Sequence, residues 1–122
     1  MREILATEML EALGVYTSKT FALIETGEAL IRGDEPSPTR SAVLTRLSHG
    51  HIRFGSFQRL AALGEQDETR RLVEHCLAHY WPRAATSDPV AGFYDAVVGA
   101  VARLGAEWFA AGFVHGVLNT DN

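Results

Sequence analysis

The apolar residues near the start of the chain recur with the period of an α-helix. They stand at i, i+4, i+7 and i+8, as Leu5, Met9, Ala12 and Leu13. Gly14 follows at the position where glycine often ends a helix, so the pattern predicts a helix from residue 2 to about residue 13. On a helical wheel Glu3 falls at the edge of the apolar arc, which predicts a carboxylate at a buried margin, suited to an ion pair.

Between Ser18 and Leu47 the pattern changes to that of short β-strands. The segments "SKTFALIET" and "EALIRG" flank Thr26-Gly27, a pair typical of a hairpin turn. A further strand, "SAVLTRL", follows the loop "DEPSPTR", whose two prolines exclude regular structure. The pattern therefore predicts a small antiparallel sheet of about three strands.

Helical periodicity returns after Gly55. Ser56 is predicted to cap a second helix, and a third, within "ETRRLVEHCLAHYW", is predicted to end before Pro82. The loop "RAATSD" leads to Asp88-Pro89, which predicts the start of a fourth helix. Its apolar residues recur at spacings of four and three, as Val90, Tyr94, Val97, Val101, Leu104, Trp108 and Ala111. The glycines in this stretch predict close packing neighbours, and the order of elements predicts an α+β fold.

Composition limits the classes of function. A chain of 122 residues with 47% hydrophobic residues is predicted to form a single domain. Its net charge of −4, without a basic cluster, argues against nucleic acid as a partner. Cys76 is the only cysteine, which excludes an internal disulfide and fits a reducing compartment. The first ten residues are not typical of a secretory signal, and no run approaches the ~20 apolar residues of a membrane span. A cytoplasmic protein without membrane contact is predicted.

The last residues, "HGVLNTDN", concentrate groups that bind metals or accept protons. One His, two Asn and one Asp follow directly after a long apolar helix. Oxygen ligands of this type suit Mg²⁺, and a rigid helix would anchor the loop that carries them. The alternative is a solvated tail rich in turn-forming residues, and composition alone does not decide between the two.

Two arginines in "TRLSHGHIRFGSF" are candidates for binding phosphate. Guanidinium groups match phosphate oxygens, so Arg46 and Arg53 could form a two-pronged clamp, and Gly50 and Gly55 would let the backbone come close. The alternative is a structural salt bridge or a pair of exposed arginines. The carboxylate of Glu3 is a further candidate, because it could orient a lysine or an arginine side chain.

A zinc site is a third, weaker possibility. His75 and His79 stand at i and i+4 on one helical face, with Cys76 beside them. No third ligand is signalled, and no glutamate stands where the H-E-x-x-H motif has one.

Three segments carry a resemblance to a known family. In this order and at these separations, "MREILATEMLEALGV", "VLTRLSHGHIRFGSFQ" and "GFVHGVLNTDN" resemble the selenoprotein O family. These are pseudokinase-fold enzymes that transfer AMP from ATP to hydroxyl groups of proteins. The resemblance implies a partial protein-kinase-like fold, with residues 1–50 in the small lobe and residues 51–122 forming the hinge and the first helices of the large lobe.

The resemblance also implies roles for five residues. Glu3 resembles the carboxylate of the kinase αC helix that pairs with the nucleotide-binding lysine. Arg46 and Arg53 resemble the arginines that hold the phosphates of ATP. Asp121 resembles the proposed catalytic base, and Asn122 resembles a Mg²⁺ ligand. The implied cofactor is Mg²⁺, the implied donor is ATP, and the implied acceptors are Ser, Thr or Tyr hydroxyls of partner proteins.

The final loop differs from that of ordinary protein kinases. In the kinase motif H-R-D-x-x-x-x-N, the base stands two positions after the His, and the metal-binding Asn stands seven positions after the His. His115 and Asn122 keep the spacing of seven, but Val117 occupies the position of the base. Asp121 is the only carboxylate in the loop, which fits the altered chemistry that the resemblance implies.

Two hypotheses follow for the chain as a whole. The family's nucleotide-covering loop and lysine are expected upstream of the first helix, and its second metal-ligating Asp downstream of "NTDN". The chain is therefore predicted to be an internal fragment of a protein adenylyltransferase, with little or no AMP transfer in isolation. The alternative is a non-catalytic helical interaction module derived from that fold. Exposed strand edges would favour self-association in either case.

Overall fold

A computed structural model describes residues 1–84 and 86–122 of the chain. Ala85, in the loop predicted before the last helix, lies outside the described residues. The elements in chain order are α1 (Arg2–Ala12), β1 (Lys19–Leu30), β2 (Thr39–Leu47), α2 (Phe54–Ala62), α3 (Gln66–His79), a short 3₁₀ helix (Pro82–Ala84) and α4 (Pro89–Ala110). The predicted α+β class is confirmed.

The described residues form two compact units, residues 1–48 and residues 49–122. The first unit contains α1 and the two strands, and the second contains the remaining helices and the last residues of the chain. Among the described residues, no helix is both long and apolar enough to cross a membrane.

The first helix is close to its predicted bounds. It ends at Ala12, and Gly14 adopts a φ of +76°, a left-handed conformation that glycine takes without strain. The amide of Val15 then donates to the carbonyl of Leu10 at 2.8 Å, which satisfies a carbonyl at the helix end. Leu10 and Val15 are both buried and form the apolar core of this unit.

The sheet corrects the prediction of about three strands, because it has two. The strands β1 and β2 pair antiparallel, and β1 runs through Thr26-Gly27 without turning. The register shifts there: Glu25 lies opposite Ala42, but Ala29 lies opposite Arg40, so β1 contains two more residues than β2 across this interval. Gly27, at φ +78°, supplies a left-handed residue to this irregularity. The turn signal marks a bulge, and the chain reverses later, in the proline-containing loop.

The second unit begins with a correction to a predicted helix cap. The helix α2 starts at Phe54, so Arg53 occupies the N-cap position that was predicted for Ser56. Ser56 lies three residues further on, and its hydroxyl accepts a hydrogen bond from the Arg53 amide at 3.5 Å. The predicted start of α4 is confirmed: the Asp88 carboxylate accepts from the Ala91 amide at 3.1 Å, and Pro89 is the first helical residue.

The core of the second unit is small and lies around α3. Cys76, Leu77 and Ala84 are its buried residues, and the rings of Phe57 and Phe93 lie 6.2 Å apart between α2 and α4.

The predicted close neighbours of the α4 glycines exist at one position. A Cβ built on Gly92 would overlap the carbonyl oxygen of Ala84 and lie 2.9 Å from the Thr86 hydroxyl. Gly99 and Gly105 have nothing within 4 Å of the same point. Close packing therefore explains the first glycine of the helix and leaves these two without a steric reason.

Candidate functional site

The first unit holds Arg46 between two partners. Its Nη1 donates to Glu3 Oε2 at 2.9 Å, and its Nη2 donates to the hydroxyl of Ser18. The side chain of Arg46 is 34% exposed and that of Glu3 is 66% exposed, so the pair lies at the surface of the unit. The alternative of a structural salt bridge is thus realised at Arg46. The Glu3 carboxylate pairs with a basic group, as expected, but it is exposed and does not lie at the buried margin that the helical wheel predicted.

A hydrogen-bonded path fixes the helix that carries Glu3 against the strand beside Arg46. Thr7, one turn after Glu3 on α1, is buried, and its hydroxyl donates to the Glu3 carbonyl at 3.0 Å. The same hydroxyl lies 3.3 Å from that of Thr20 on β1, which is the residue paired with Arg46 across the sheet. The contact between Thr7 and Thr20 therefore links the helix that carries Glu3 to the strand residue paired with Arg46.

The guanidinium of Arg46 retains unused hydrogen-bonding capacity. An arginine carries five N–H donors, and Glu3 and Ser18 each accept from one nitrogen. The third nitrogen, Nε, is buried and makes no hydrogen bond within the described part of the chain. A buried donor without a partner costs about 1–3 kcal/mol. The hydrogen bonds to Glu3 and Ser18 therefore do not by themselves explain the arrangement of Arg46.

The second unit places Arg53 at the start of α2. No carboxylate of this unit forms a salt bridge with its guanidinium among residues 49–84 and 86–122. A positive charge at this position is available for an anion, whereas Arg46 already has a carboxylate partner.

The end of the chain returns to the first turn of α2. The amide of Gly55 donates to the carbonyl of Thr120 at 2.7 Å, and the carboxylate of Asp121 lies against the Cα of Gly55. Asp121 therefore lies beside Gly55, which is two residues after Arg53 in the sequence. Of the two glycines expected to allow a close approach, Gly55 faces Asp121 and Gly50 faces the ring of Tyr80.

The last four residues form a compact turn. The amide of Asn119 donates to Asn122 Oδ1 at 2.8 Å, and the amide of Asp121 donates to Asn119 Oδ1 at 2.8 Å. The side chains of Asp121 and Asn122 remain exposed. The turn-forming residues therefore order this segment, and the same segment presents the two oxygen-bearing side chains to solvent.

His115 stacks on the last helix. Its ring lies 5.7 Å from that of Trp108 with an angle of 26° between the planes, and Nδ1 accepts from the Val117 amide at 3.4 Å. A shallow depression of about 410 Å³ opens beside it, lined by Gly105, Trp108, Phe109, Phe113 and Leu118 among others. The ring supports the loop backbone.

The donor set at the end of the chain fits Mg²⁺ in its chemistry. This ion takes oxygen ligands and is commonly held by one or two protein groups together with phosphates and water. Asp121 offers a carboxylate and Asn122 an amide oxygen, both exposed.

The zinc hypothesis gains no further ligand. The rings of His75 and His79 lie 4.4 Å apart, but no group of three or more His, Cys, Asp or Glu suited to a metal occurs in the described part of the chain. Cys76 is buried beside them, and burial raises the pKa of its thiol. A thiol in such surroundings is held neutral, unlike a zinc-binding thiolate.

Sequence reasoning missed the residues that support the candidate groups. Ser18 and Thr7 are ordinary residues of a strand entry and a helix, and no local pattern distinguishes them. Gly55 was expected to let the backbone come close to a phosphate, without any indication of Asp121 as its neighbour. The partner that explains it, Asp121, is 66 positions away, and no short-range signal connects the two.

The chain is similar in sequence to curated proteins that are named as nucleotidyltransferases. The chain is 54% identical over 123 residues to a protein nucleotidyltransferase YdiU of Gloeobacter violaceus, and 51% identical over 123 residues to one of Trichormus variabilis. A third, from Cereibacter sphaeroides, is 42% identical over 123 residues. All of this chain is covered in each case, against 26%, 25% and 25% of the relatives.

The family model described as "Protein adenylyltransferase SelO" matches residues 1–122, and the chain belongs to this family. The resemblance found in the sequence is therefore confirmed. The chain spans about a quarter of the length of the curated relatives it matches.

Proposed function

We propose that the chain is a portion of a protein adenylyltransferase that moves AMP from ATP to a Ser, Thr or Tyr hydroxyl of another protein. The observation that carries this proposal is the family match over all 122 residues. The geometry supports it, because the residues that the resemblance singles out have chemically suitable surroundings in both units. We further propose that the two units correspond to parts of the small and large lobes of a kinase-like fold.

The proposed reaction forms one bond and breaks one. The acceptor oxygen attacks the α-phosphorus of ATP, the bond from that phosphorus to the bridging oxygen of the β-phosphate breaks, and pyrophosphate leaves. Asp121 takes the proton from the acceptor hydroxyl. Its carboxylate is exposed and held by the first turn of α2, which suits a general base that must reach a second protein.

The arginines are proposed to bind the phosphates. Arg53 makes no salt bridge with the described carboxylates of its unit, so its charge is available for an anion. Arg46 is held in place by Glu3 and Ser18, and this reduces the ordering cost of adding a phosphate contact. Glu3 is proposed to orient Arg46, with which it pairs here.

Asn122 is the residue that would hold Mg²⁺, beside the proposed base Asp121. When bound with ATP, the ion neutralises phosphate charge and so lowers the cost of bringing a nucleophile to the α-phosphorus. The protein's own contribution is the turn of residues 119–122, in which the Asn119 amide holds the Asn122 side chain and the Asn119 side chain holds the Asp121 backbone.

The experiment exchanges the matching quarter of the Gloeobacter violaceus relative for this chain and supplies ATP labelled at either the α- or the γ-phosphorus. With Mg²⁺ and a protein acceptor, label is expected only from the α-phosphorus. Asp121→Asn in the exchanged segment is expected to lower the rate by about 10²–10⁴-fold, the range of general-base catalysis.

The unchanged relative and an Asp67→Asn variant serve as controls, since Asp67 is an acidic residue in the first turn of α3 and is not one of the candidate groups. Transfer of the γ-label, or α-labelling that does not respond to Asp121→Asn, would contradict the proposal.

A second candidate is a non-catalytic interaction module. The observation in its favour is the exposure of large apolar side chains, including Phe109 at 89%, Val114 at 85% and Ile31 at 82%. Under this alternative the chain has no affinity for ATP, so a binding measurement separates the two candidates.

A further inference from the structure

We infer that Gly55 is a positioning residue for the end of the chain: the absence of a side chain at this position lets Asp121 lie against the first turn of α2. Where the inference concerns ATP, it rests on the proposed function. Where it concerns the position of residues 119–122, it rests on geometry alone.

The space around Gly55 is already occupied. A Cβ built there would overlap Asp121 Oδ1, and it would lie 3.2 Å from Asp121 Cγ and 3.2 Å from the carbonyl oxygen of Thr120. The Gly55 amide donates to that same carbonyl at 2.7 Å, so the contact is made by hydrogen bonding as well as by shape. An added methyl group would displace the Asp121 carboxylate, and it would press against the Thr120 carbonyl oxygen at 3.2 Å.

Backbone conformation does not require glycine at this position. The glycines with positive φ are Gly14, Gly27, Gly64, Gly112 and Gly116, and Gly55 is not among them. Alanine is favoured over glycine within helices by about 0.5–1 kcal/mol. The chain forgoes this stability at the second residue of α2, and the close approach of Asp121 supplies the steric reason.

A backbone shift at residues 120–121 that relieves the contact with Thr120 would also move Asn122. Asn119 joins the two, because its side chain accepts from the Asp121 amide while its own amide donates to the Asn122 side chain. The turn therefore moves as one body. Through this turn, Gly55 sets the direction of both the proposed base and the proposed metal ligand relative to Arg53, which precedes it by two residues.

The experiment compares Gly55→Ala with Gly99→Ala in the full chain. Gly99 is the matched control, since it also lies in a helix but has nothing within 4 Å of an added Cβ. Hydrogen exchange of the position-55 amide reports whether the bond to Thr120 persists. Calorimetric titration with Mg·ATP reports the affinity, and the melting temperature shows that each variant is folded.

In Gly55→Ala we expect exchange of the position-55 amide to become faster and the affinity for Mg·ATP to fall by about 10–100-fold, the range for residues that orient metal ligands. Gly99→Ala is expected to match the parent in both measurements. In an Asp121→Ala background the overlapping carboxylate is gone, so adding Gly55→Ala is expected to change either measurement by much less.

Two results overturn the inference. One is a Gly55→Ala chain that binds Mg·ATP as tightly as the Gly99→Ala chain and keeps slow exchange at position 55. The other is an equal effect of Gly55→Ala with and without the Asp121 side chain. If the parent chain does not bind Mg·ATP at all, the proposed function fails, and the exchange measurement alone then supports or overturns the positioning role.

Discussion

At the residue scale, Arg46 combines a surface ion pair with a buried donor that has no partner among the described residues. Ion pairs at exposed positions contribute about 0–1 kcal/mol, and Glu3 is 66% exposed. The pair with Glu3 therefore does not explain by itself why an arginine with a buried, unpartnered Nε stands here. We propose that a fixed guanidinium is needed here to bind a phosphate of ATP.

We predict that Arg46→Ala has a small effect on stability and a larger effect on the affinity for Mg·ATP. The free energy of unfolding should fall by less than about 1 kcal/mol, because the pair is largely screened. Affinity for Mg·ATP should fall by about 10–100-fold, since a charged hydrogen bond is worth about 1.5–3 kcal/mol. Urea denaturation and calorimetric titration measure the two effects.

Arg40→Ala is the matched control for this prediction. Arg40 lies on the same strand and forms a salt bridge with Glu25 at 2.6 Å, with 83% of its side chain exposed. Its loss should change stability by a similar small amount and leave ATP affinity unchanged. Equal weakening of ATP binding by both substitutions would show a general charge effect and contradict a specific role for Arg46.

Cys76 gives a prediction about pH. Burial raises the pKa of its thiol, so the folded chain holds this proton at a pH where the unfolded chain has begun to release it. The resulting stability is fully present below about pH 9 and is lost as pH rises through the folded-state pKa. Urea denaturation from neutral to about pH 10 should give a steeper decline for the parent than for Cys76→Ala. Parallel declines would contradict the prediction.

Single residues also show what the sequence could predict about the candidate site. The helical wheel predicted that Glu3 would suit an ion pair, and the structure supplies Arg46 as the partner. Ser18 and Thr7 could not be predicted, because their contacts depend on how α1 lies against β1. Roles for Arg53, Asp121 and Asn122 came from the resemblance, and they stay predictions.

At the element scale, the glycines of α4 differ in what surrounds them. We predict that Gly92→Ala lowers the free energy of unfolding by about 1–3 kcal/mol, as overpacking does, because the added methyl overlaps the Ala84 carbonyl. Gly99→Ala should raise it by about 0.5–1 kcal/mol through helix propensity. Urea denaturation of both variants measures the difference. If Gly92→Ala stabilised the protein, that result would contradict a close contact between Gly92 and the Ala84 carbonyl.

Helices were predicted better than strands, for a physical reason. Periodicity, the glycine after α1 and the Asp88-Pro89 start are local signals, and they located the ends of α1 and the beginning of α4. The conformation of Thr26-Gly27 is compatible with either a turn or a bulge. Pairing of Ala29 with Arg40 decides for the bulge, and this depends on residues across the sheet.

At the scale of the whole molecule, the described chain consists of two units, and the candidate groups are divided between them. Glu3 and Arg46 belong to residues 1–48, while Arg53, Asp121 and Asn122 belong to residues 49–122. The family was predictable from the sequence because three separated motifs carry it. The number of strands and the contact between Gly55 and Asp121 could not be predicted from the sequence, because both depend on contacts between residues far apart in the chain.

We propose that this chain provides nucleotide-binding residues of a SelO-family adenylyltransferase. The most direct test of this proposal is the melting temperature of the chain with ATP and Mg²⁺, with ATP alone, and with neither. A ligand at about 100 times its Kd stabilises the folded state by about 2.7 kcal/mol, so a rise of several degrees is expected with Mg·ATP. A smaller rise is expected in Arg46→Ala and Arg53→Ala. No rise in the parent chain, or an equal rise in all three, would contradict the account.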